Sequence, residues 1–120
     1  MSLASVPNEA FPKAHRLLKR RDFQFRPYTR FGTENFNFIF SQRGQGRLGV
    51  SISKKVLRRA VARNRIRRLL RETFRTRRDL LAGVDIHIIG LSSLTETWND
   101  LGVSDIARQF DLFQGRLAGK

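Results

Sequence analysis

Metal-assisted hydrolysis needs paired carboxylates to hold metal ions, and general acid–base catalysis is most often done by imidazoles that exchange protons. This sequence spaces neither. Its ten Asp and Glu residues are scattered, and its only histidines are His15 and His87. Asp85 and His87 stand two apart in an alternating stretch and so share one strand face, but no third ligand or nucleophile accompanies them. His87 is therefore read as a structural residue, with no catalytic and no metal-binding residues expected in the chain. Cysteine is absent, which excludes disulfides and thiolate metal sites and suits a reducing compartment.

What the sequence concentrates is positive charge. The 120 residues carry 24 Lys and Arg against 10 Asp and Glu, a net charge of +14. Between Lys54 and Arg78 lie 12 of the cations and a single acid, Glu72, so this stretch alone holds +11 and the rest of the chain only +3. Such local excess fits a polyanionic partner. A weaker basic cluster (Lys13, Arg16, Lys19, Arg20, Arg21 and Arg26) is interleaved with Phe11, Phe23, Phe25 and Tyr28. Cations that grip phosphates beside rings that stack on bases are what single-stranded nucleic acid needs.

The elements that must position these residues follow from periodicity. From about Arg59 to Arg75 the pattern is helical. With Ala62 at 0° and about 100° per residue, Ile66, Leu69, Leu70 and Thr73 fall within a stripe roughly 100° wide. The same count puts Arg63 near 100°, Arg67, Arg71, Arg75 and Arg68 at about 140° to 240° and Arg65 near 300°, so outside the stripe the helix is almost wholly cationic. Like charges at i and i+4, such as Arg63 with Arg67 and Arg67 with Arg71, each destabilise an isolated helix by a few tenths of a kcal/mol. A bound polyanion would offset that repulsion. Glu72 is expected to pair within the helix with Arg68 or Arg75.

Around this helix, Phe36–Ser41 and Leu48–Ser53 alternate with period two and are separated by a Gly-containing turn, which predicts an antiparallel hairpin. Gly83 is expected to end the basic region, and Val84–Leu91 to form an apolar central strand. The stretch from Thr95 to Gly102, with the only Trp, Trp98, reads as a connection. Ser104 is placed as the N-cap of a last helix whose Ile106, Phe110, Phe113 and Leu117 close the core. Leu17–Phe25 is expected to be a short basic helix. Length and a 40% hydrophobic content suit one domain, 1–120, with tails at 1–12 and 115–120 expected to be flexible. No apolar run reaches a membrane span, and Met1–Ala10 lacks the features of a signal peptide, so a cytoplasmic protein is expected.

The stretch Arg47–Arg75, RLGVSISKKVLRRAVARNRIRRLLRETFR, resembles the protein subunit of bacterial ribonuclease P, above all in Ser53-Lys54-Lys55 and in Arg63-Asn64-Arg65-Ile66-Arg67-Arg68-Leu69. Arg16, Leu17 and Arg20–Phe23 resemble the first helix of that family, and Val84–Ile89 its later strand. The resemblance implies an α+β two-layer sandwich, in the order α-β-β-β-α-β-α, with a small mixed sheet and the arginine helix in a left-handed crossover, as in the second domain of ribosomal protein S5. It also implies a function: binding the catalytic ribonuclease P RNA, one protein per RNA, and assisting removal of the 5′ leader from precursor tRNA. The catalytic centre and Mg²⁺ would then belong mainly to the RNA, with no small-molecule ligand. By position, Arg63, Asn64, Arg65, Arg67, Arg68 and Arg71, with Arg58 and Arg59 beside them, would face the catalytic RNA. Arg20, Phe23, Ser51, Ser53 and Lys54, with Phe25 and Lys55 adjacent, would line a cleft for the leader. Where the family carries a second aromatic four residues after Phe23, this chain has Pro27.

Two other readings share the charge. A ribosomal or general structured-RNA binder would not need an aromatic cleft. A DNA-binding regulator reading through Arg59–Arg75 would need a partner helix just upstream, where the pattern is that of a strand.

Overall fold

The computed structural model describes residues 28–119. Arg20, Phe23 and Phe25, and the helix expected over Leu17–Phe25, lie outside that range. Seven elements follow in order: β1 (Thr29–Gly32), β2 (Phe36–Ser41), β3 (Leu48–Ser51), α1 (Ala60–Arg75), β4 (Asp85–Gly90), α2 (Leu94–Thr97) and α3 (Val103–Gly119). The strands make one mixed sheet in the order β1-β2-β4-β3, the expected α+β architecture. β4 runs antiparallel to β2, with Phe38 opposite Ile88, and parallel to β3, with Leu48 opposite Ile86.

The predicted hairpin is corrected here: β2 and β3 do not pair, because β4 lies between them. Alternation reports which face a side chain takes, not which strand is its neighbour. The turn after β2 closes instead on the entrance to β4. Gly44 N–H donates to the Gly83 carbonyl at 2.7 Å, and Ile86 N–H to the Arg47 carbonyl at 2.9 Å. Asp85, almost fully buried, accepts from the backbone N–H of Gln45 (2.9 Å) and Arg47 (3.0 Å) and pairs with the Arg47 guanidinium at 2.7 Å. Burial works against the charge of this carboxyl, but the hydrogen bonds from the Arg47 side chain and the two backbone donors outweigh it and hold Asp85 below the usual carboxylate range. Any Cβ on Gly44 would lie 2.3 Å from the Asp85 carboxyl carbon, and Gly83 turns the chain into β4 with φ +80°, which explains a glycine at each.

One face of the sheet carries Phe36, Phe38, Phe40, Leu48, Ile86 and Ile88, all buried against α1 and α3. Ala62, Ile66, Leu70, Thr73 and Phe74 of α1 are buried and Leu69 packs at the margin, so Phe74 widens the predicted stripe by one position. Fully burying one such large apolar side chain contributes about 1.5–3 kcal/mol. Thr73 is satisfied within the helix, its hydroxyl donating to the Leu69 carbonyl at 2.8 Å. From α3, Phe113 stacks on Phe38 with centroids 4.6 Å apart, and Phe110 meets the same ring edge-on at 5.4 Å.

Two local expectations shift. The 95–102 connection contains the helical turn α2. The last helix begins at Val103, so Gly102 takes the N-cap place and Ser104 lies in the first turn. Asp105 explains the difference, since its carboxylate accepts the Gly102 N–H at 2.9 Å, the reach-back half of a capping box. Through its last turns α3 continues over residues 115–119.

Candidate nucleic-acid interface

β3 leads into α1 through a tight turn. The Ser53 carbonyl accepts from Val56 N–H and Leu57 N–H, both at 3.1 Å, and its hydroxyl accepts from Val56 N–H at 3.3 Å. Lys54, Lys55, Arg58 and Arg59 project from this turn into solvent. Arg59 occupies the N-cap place with an extended backbone and no side-chain cap, and no acid stands in the first turn. The positive end of the helix dipole thus adds to four cations instead of being offset.

Along α1 the arginines divide. At one border of the apolar stripe, Arg63 donates to the carbonyls of Leu57 (2.8 Å) and Arg58 (3.0 Å). At the other, Arg65 donates to the carbonyls of Leu101 (2.6 Å) and Trp98 (3.4 Å), tying α1 to the α2–α3 junction. Both are half-buried and positioned by backbone oxygens. Farther out, Asn64 accepts from Arg67 at 3.3 Å, Arg68 is exposed, and Arg67 and Arg71 are partly exposed. Glu72 takes Arg75 as its partner, and that hydrogen bond, with the guanidinium charge, lowers its carboxyl from the ordinary value. Among the described residues no carboxylate forms an ion pair with Lys54, Lys55, Arg58, Arg59, Arg67 or Arg68. Just beyond the helix, Arg77 is committed internally, to Asp111 (2.8 Å) and Gln114 (2.7 Å) of α3.

The second face of the sheet is separate from this surface. Directly opposed residues share a face, so His87 stands between Ile39 of β2 and Gly49 of β3, and Ser51 lies opposite Ile89. His87 is buried while Ser51 is exposed, and the Ser51 Oγ is 2.7 Å from His87 Nε2. Asp85, on the same face, is engaged by Arg47. Among the described residues, no three His, Asp or Glu side chains cluster as metal ligands would, and no helix is long and apolar enough to cross a membrane.

This geometry can be set beside known proteins. A sequence model of the ribonuclease P family matches residues 11–111. The chain belongs to the ribonuclease P protein family. The ribonuclease P protein component of Legionella pneumophila (strain Lens) is 44% identical over 99 residues, covering 79% of this chain and 84% of the relative. That of Marinobacter nauticus is 45% identical over 95 residues, covering 75% and 71%. Among solved structures, the RNase P protein from Thermotoga maritima superposes with a TM-score of 0.69 at 29% identity, over 84% of this chain and 96% of that one. The Staphylococcus aureus RNase P protein gives 0.65 at 28% identity, over 82% and 91%.

Family membership makes the chain a protein subunit of ribonuclease P, an endoribonuclease of tRNA processing, with ribonuclease P RNA as its partner. Within the ribonuclease P fold, the residues singled out by sequence occupy two surfaces. Arg58, Arg59, Asn64, Arg67, Arg68 and Arg71 lie along the outside of α1 and its approach, with Arg63 and Arg65 at its flanks. Ser51 lies on the second sheet face, and Ser53, Lys54 and Lys55 in the turn that joins β3 to α1. The His87 contact with Ser51 went unread in the sequence, where the spacing suggested only Asp85 as its companion.

Proposed function

We propose that the outer face of α1 docks on ribonuclease P RNA, and that the second sheet face at Ser51, with Ser53, Lys54 and Lys55, takes the single-stranded 5′ leader of precursor tRNA. On this reading Arg67, Arg68 and Arg71 neutralise phosphates of the catalytic RNA, with Arg58 and Arg59 extending the contact around the helix N-terminus. Asn64 adds an amide able to donate and accept at sugar or base edges. Arg63 and Arg65 spend part of their hydrogen-bonding capacity on backbone carbonyls and offer their remaining N–H groups, one on each flank of the helix. Arg20, Phe23 and Phe25 would complete the leader cleft with charge and stacking. Hydrolysis, with its Mg²⁺, belongs to the RNA, and the protein contributes grip on the substrate.

The observation that carries this reading is the outward arginine surface of α1 with one carboxylate, Glu72, along the helix. Its test is reconstitution with the ribonuclease P RNA at low Mg²⁺, scoring precursor tRNA cleavage with and without the protein. Stimulation that is stronger for a substrate with a long leader than for one with a single leader nucleotide is the expected result. A general structured-RNA binder would give no stimulation, and equal stimulation of both substrates would remove the leader face from the account.

A further inference from the structure

His87 is an anomaly in its strand. β4 is the interior strand between β2 and β3, and its neighbours Ile86 and Ile88 are fully buried. An imidazole in such a place costs free energy unless its polar atoms are hydrogen-bonded. The bond it makes through Nε2 is to a hydroxyl at the solvent side of the sheet, Ser51 Oγ at 2.7 Å. Gly49, directly opposite His87 on β3, has no side chain, whereas Ile39 stands opposite it on β2. The ring is thereby directed toward β3.

We infer that His87 is a positioning residue for leader recognition: from the same sheet face it fixes the Ser51 hydroxyl, so that the remaining hydrogen-bonding side of that hydroxyl is presented to the RNA backbone. An exposed serine hydroxyl otherwise rotates freely and can donate once and accept twice. Bound to a buried imidazole it loses that freedom before RNA arrives, which lowers the ordering cost of the contact. Where Nε2 accepts the Ser51 proton, the Oγ lone pairs face outward and suit a ribose 2′-hydroxyl. Where Nε2 carries the proton, the Ser51 O–H faces outward and suits a phosphate oxygen. Ser53 differs, because its hydroxyl is used in the turn that presents Lys54 and Lys55.

This inference rests on the proposed leader face, and the experiment separates the two. In the reconstituted holoenzyme, the affinity ratio between leader-bearing precursor tRNA and mature tRNA is measured for wild type, Ser51→Ala, His87→Leu, His87→Gln and the Ser51→Ala/His87→Leu double variant. The loss of one neutral hydrogen bond corresponds to about a three- to tenfold drop in that ratio. His87→Leu and Ser51→Ala should each show it, the double variant should lose no more than either, and His87→Gln, whose amide can reach the same hydroxyl, should recover part. A normal ratio in His87→Leu beside a reduced one in Ser51→Ala overturns the positioning role and leaves the leader face standing. Normal ratios in both overturn the leader face itself. Multiplying losses in the double variant, or equal weakening of both tRNAs by His87→Leu, would also overturn the inference. A readout on the folded wild-type ring covers a His87→Leu chain that does not fold: the His87 Nε2 ¹⁵N resonance should move on Ser51→Ala, and an unmoved resonance contradicts the bond.

Discussion

Arginine meets two fates in this molecule. At the corner where the 42–47 turn meets β4, Arg47 is mostly covered and closes on a buried carboxylate, and its charge is consumed in holding the fold. Along the outside of α1, Arg67 and Arg68 have no carboxylate partner among the described residues. The residue type is the same, and what differs is the supply of counterions. Where Asp85 is present the cation is structural. Where the chain withholds acids, the cation is left for another molecule, at the cost of repulsion along the helix.

The sharpest way to break that contrast is at the corner. Asp85→Ala would remove the buried acceptor of the Arg47 guanidinium and of two backbone donors, and unfolding measured in urea should show a loss of about 3–5 kcal/mol. Because the Asp85 carboxyl titrates below its ordinary value, the native state binds fewer protons than the unfolded one as pH falls. Its contribution is complete above the ordinary carboxylate pKa of about 4 and is lost as pH falls through the lower native value. The gap between wild type and Asp85→Ala should therefore narrow on acidification below about pH 4, and a constant gap would contradict the assignment.

Next in size is a contrast within α1. Arg65→Ala removes charge-assisted bonds to the Leu101 and Trp98 carbonyls and should lower stability by about 1.5–3 kcal/mol. Arg68→Ala, at an exposed position, should change stability by less than about 0.5 kcal/mol. It should instead flatten the dependence of log affinity for RNA on log salt by about 0.7–0.9. Equal stability losses from the two would erase the division between anchoring and offered arginines. Smallest is Glu72→Gln, which releases Arg75 from its internal partner. The salt slope should steepen by up to about one, with the thermal midpoint nearly unchanged.

Part of this division is legible before the fold. Counting around the helix separates the apolar stripe from a cationic remainder but leaves Arg63 and Arg65 among the outward arginines, and that these two reach backbone carbonyls depends on where the fold brings Leu57, Arg58, Trp98 and Leu101. The helix, its stripe and the last strand are written in local periodicity, which depends only on near neighbours. Strand partners are not. β4 enters between β2 and β3 because of contacts some forty residues apart, such as Asp85 with the 45–47 turn, which no alternation encodes. The start of α3 was misjudged by two residues because Ser104 is a good cap in isolation, whereas Asp105 reaching back to Gly102 sets the boundary. The Ser51–His87 contact required the register of β3 on β4 and lay beyond sequence for the same reason.

The central claim is that charge withheld from internal pairing on α1 is charge used on RNA. It is tested most directly by titrating the affinity of the full chain for ribonuclease P RNA against salt, alongside the triple variant Arg59→Ala/Arg67→Ala/Arg68→Ala. If six to ten phosphates are neutralised, the wild-type slope of log affinity against log salt should be roughly −5 to −9, and the variant should be shallower by about 2 to 3. A wild-type slope near zero, or one that the triple variant leaves unchanged, would contradict the account.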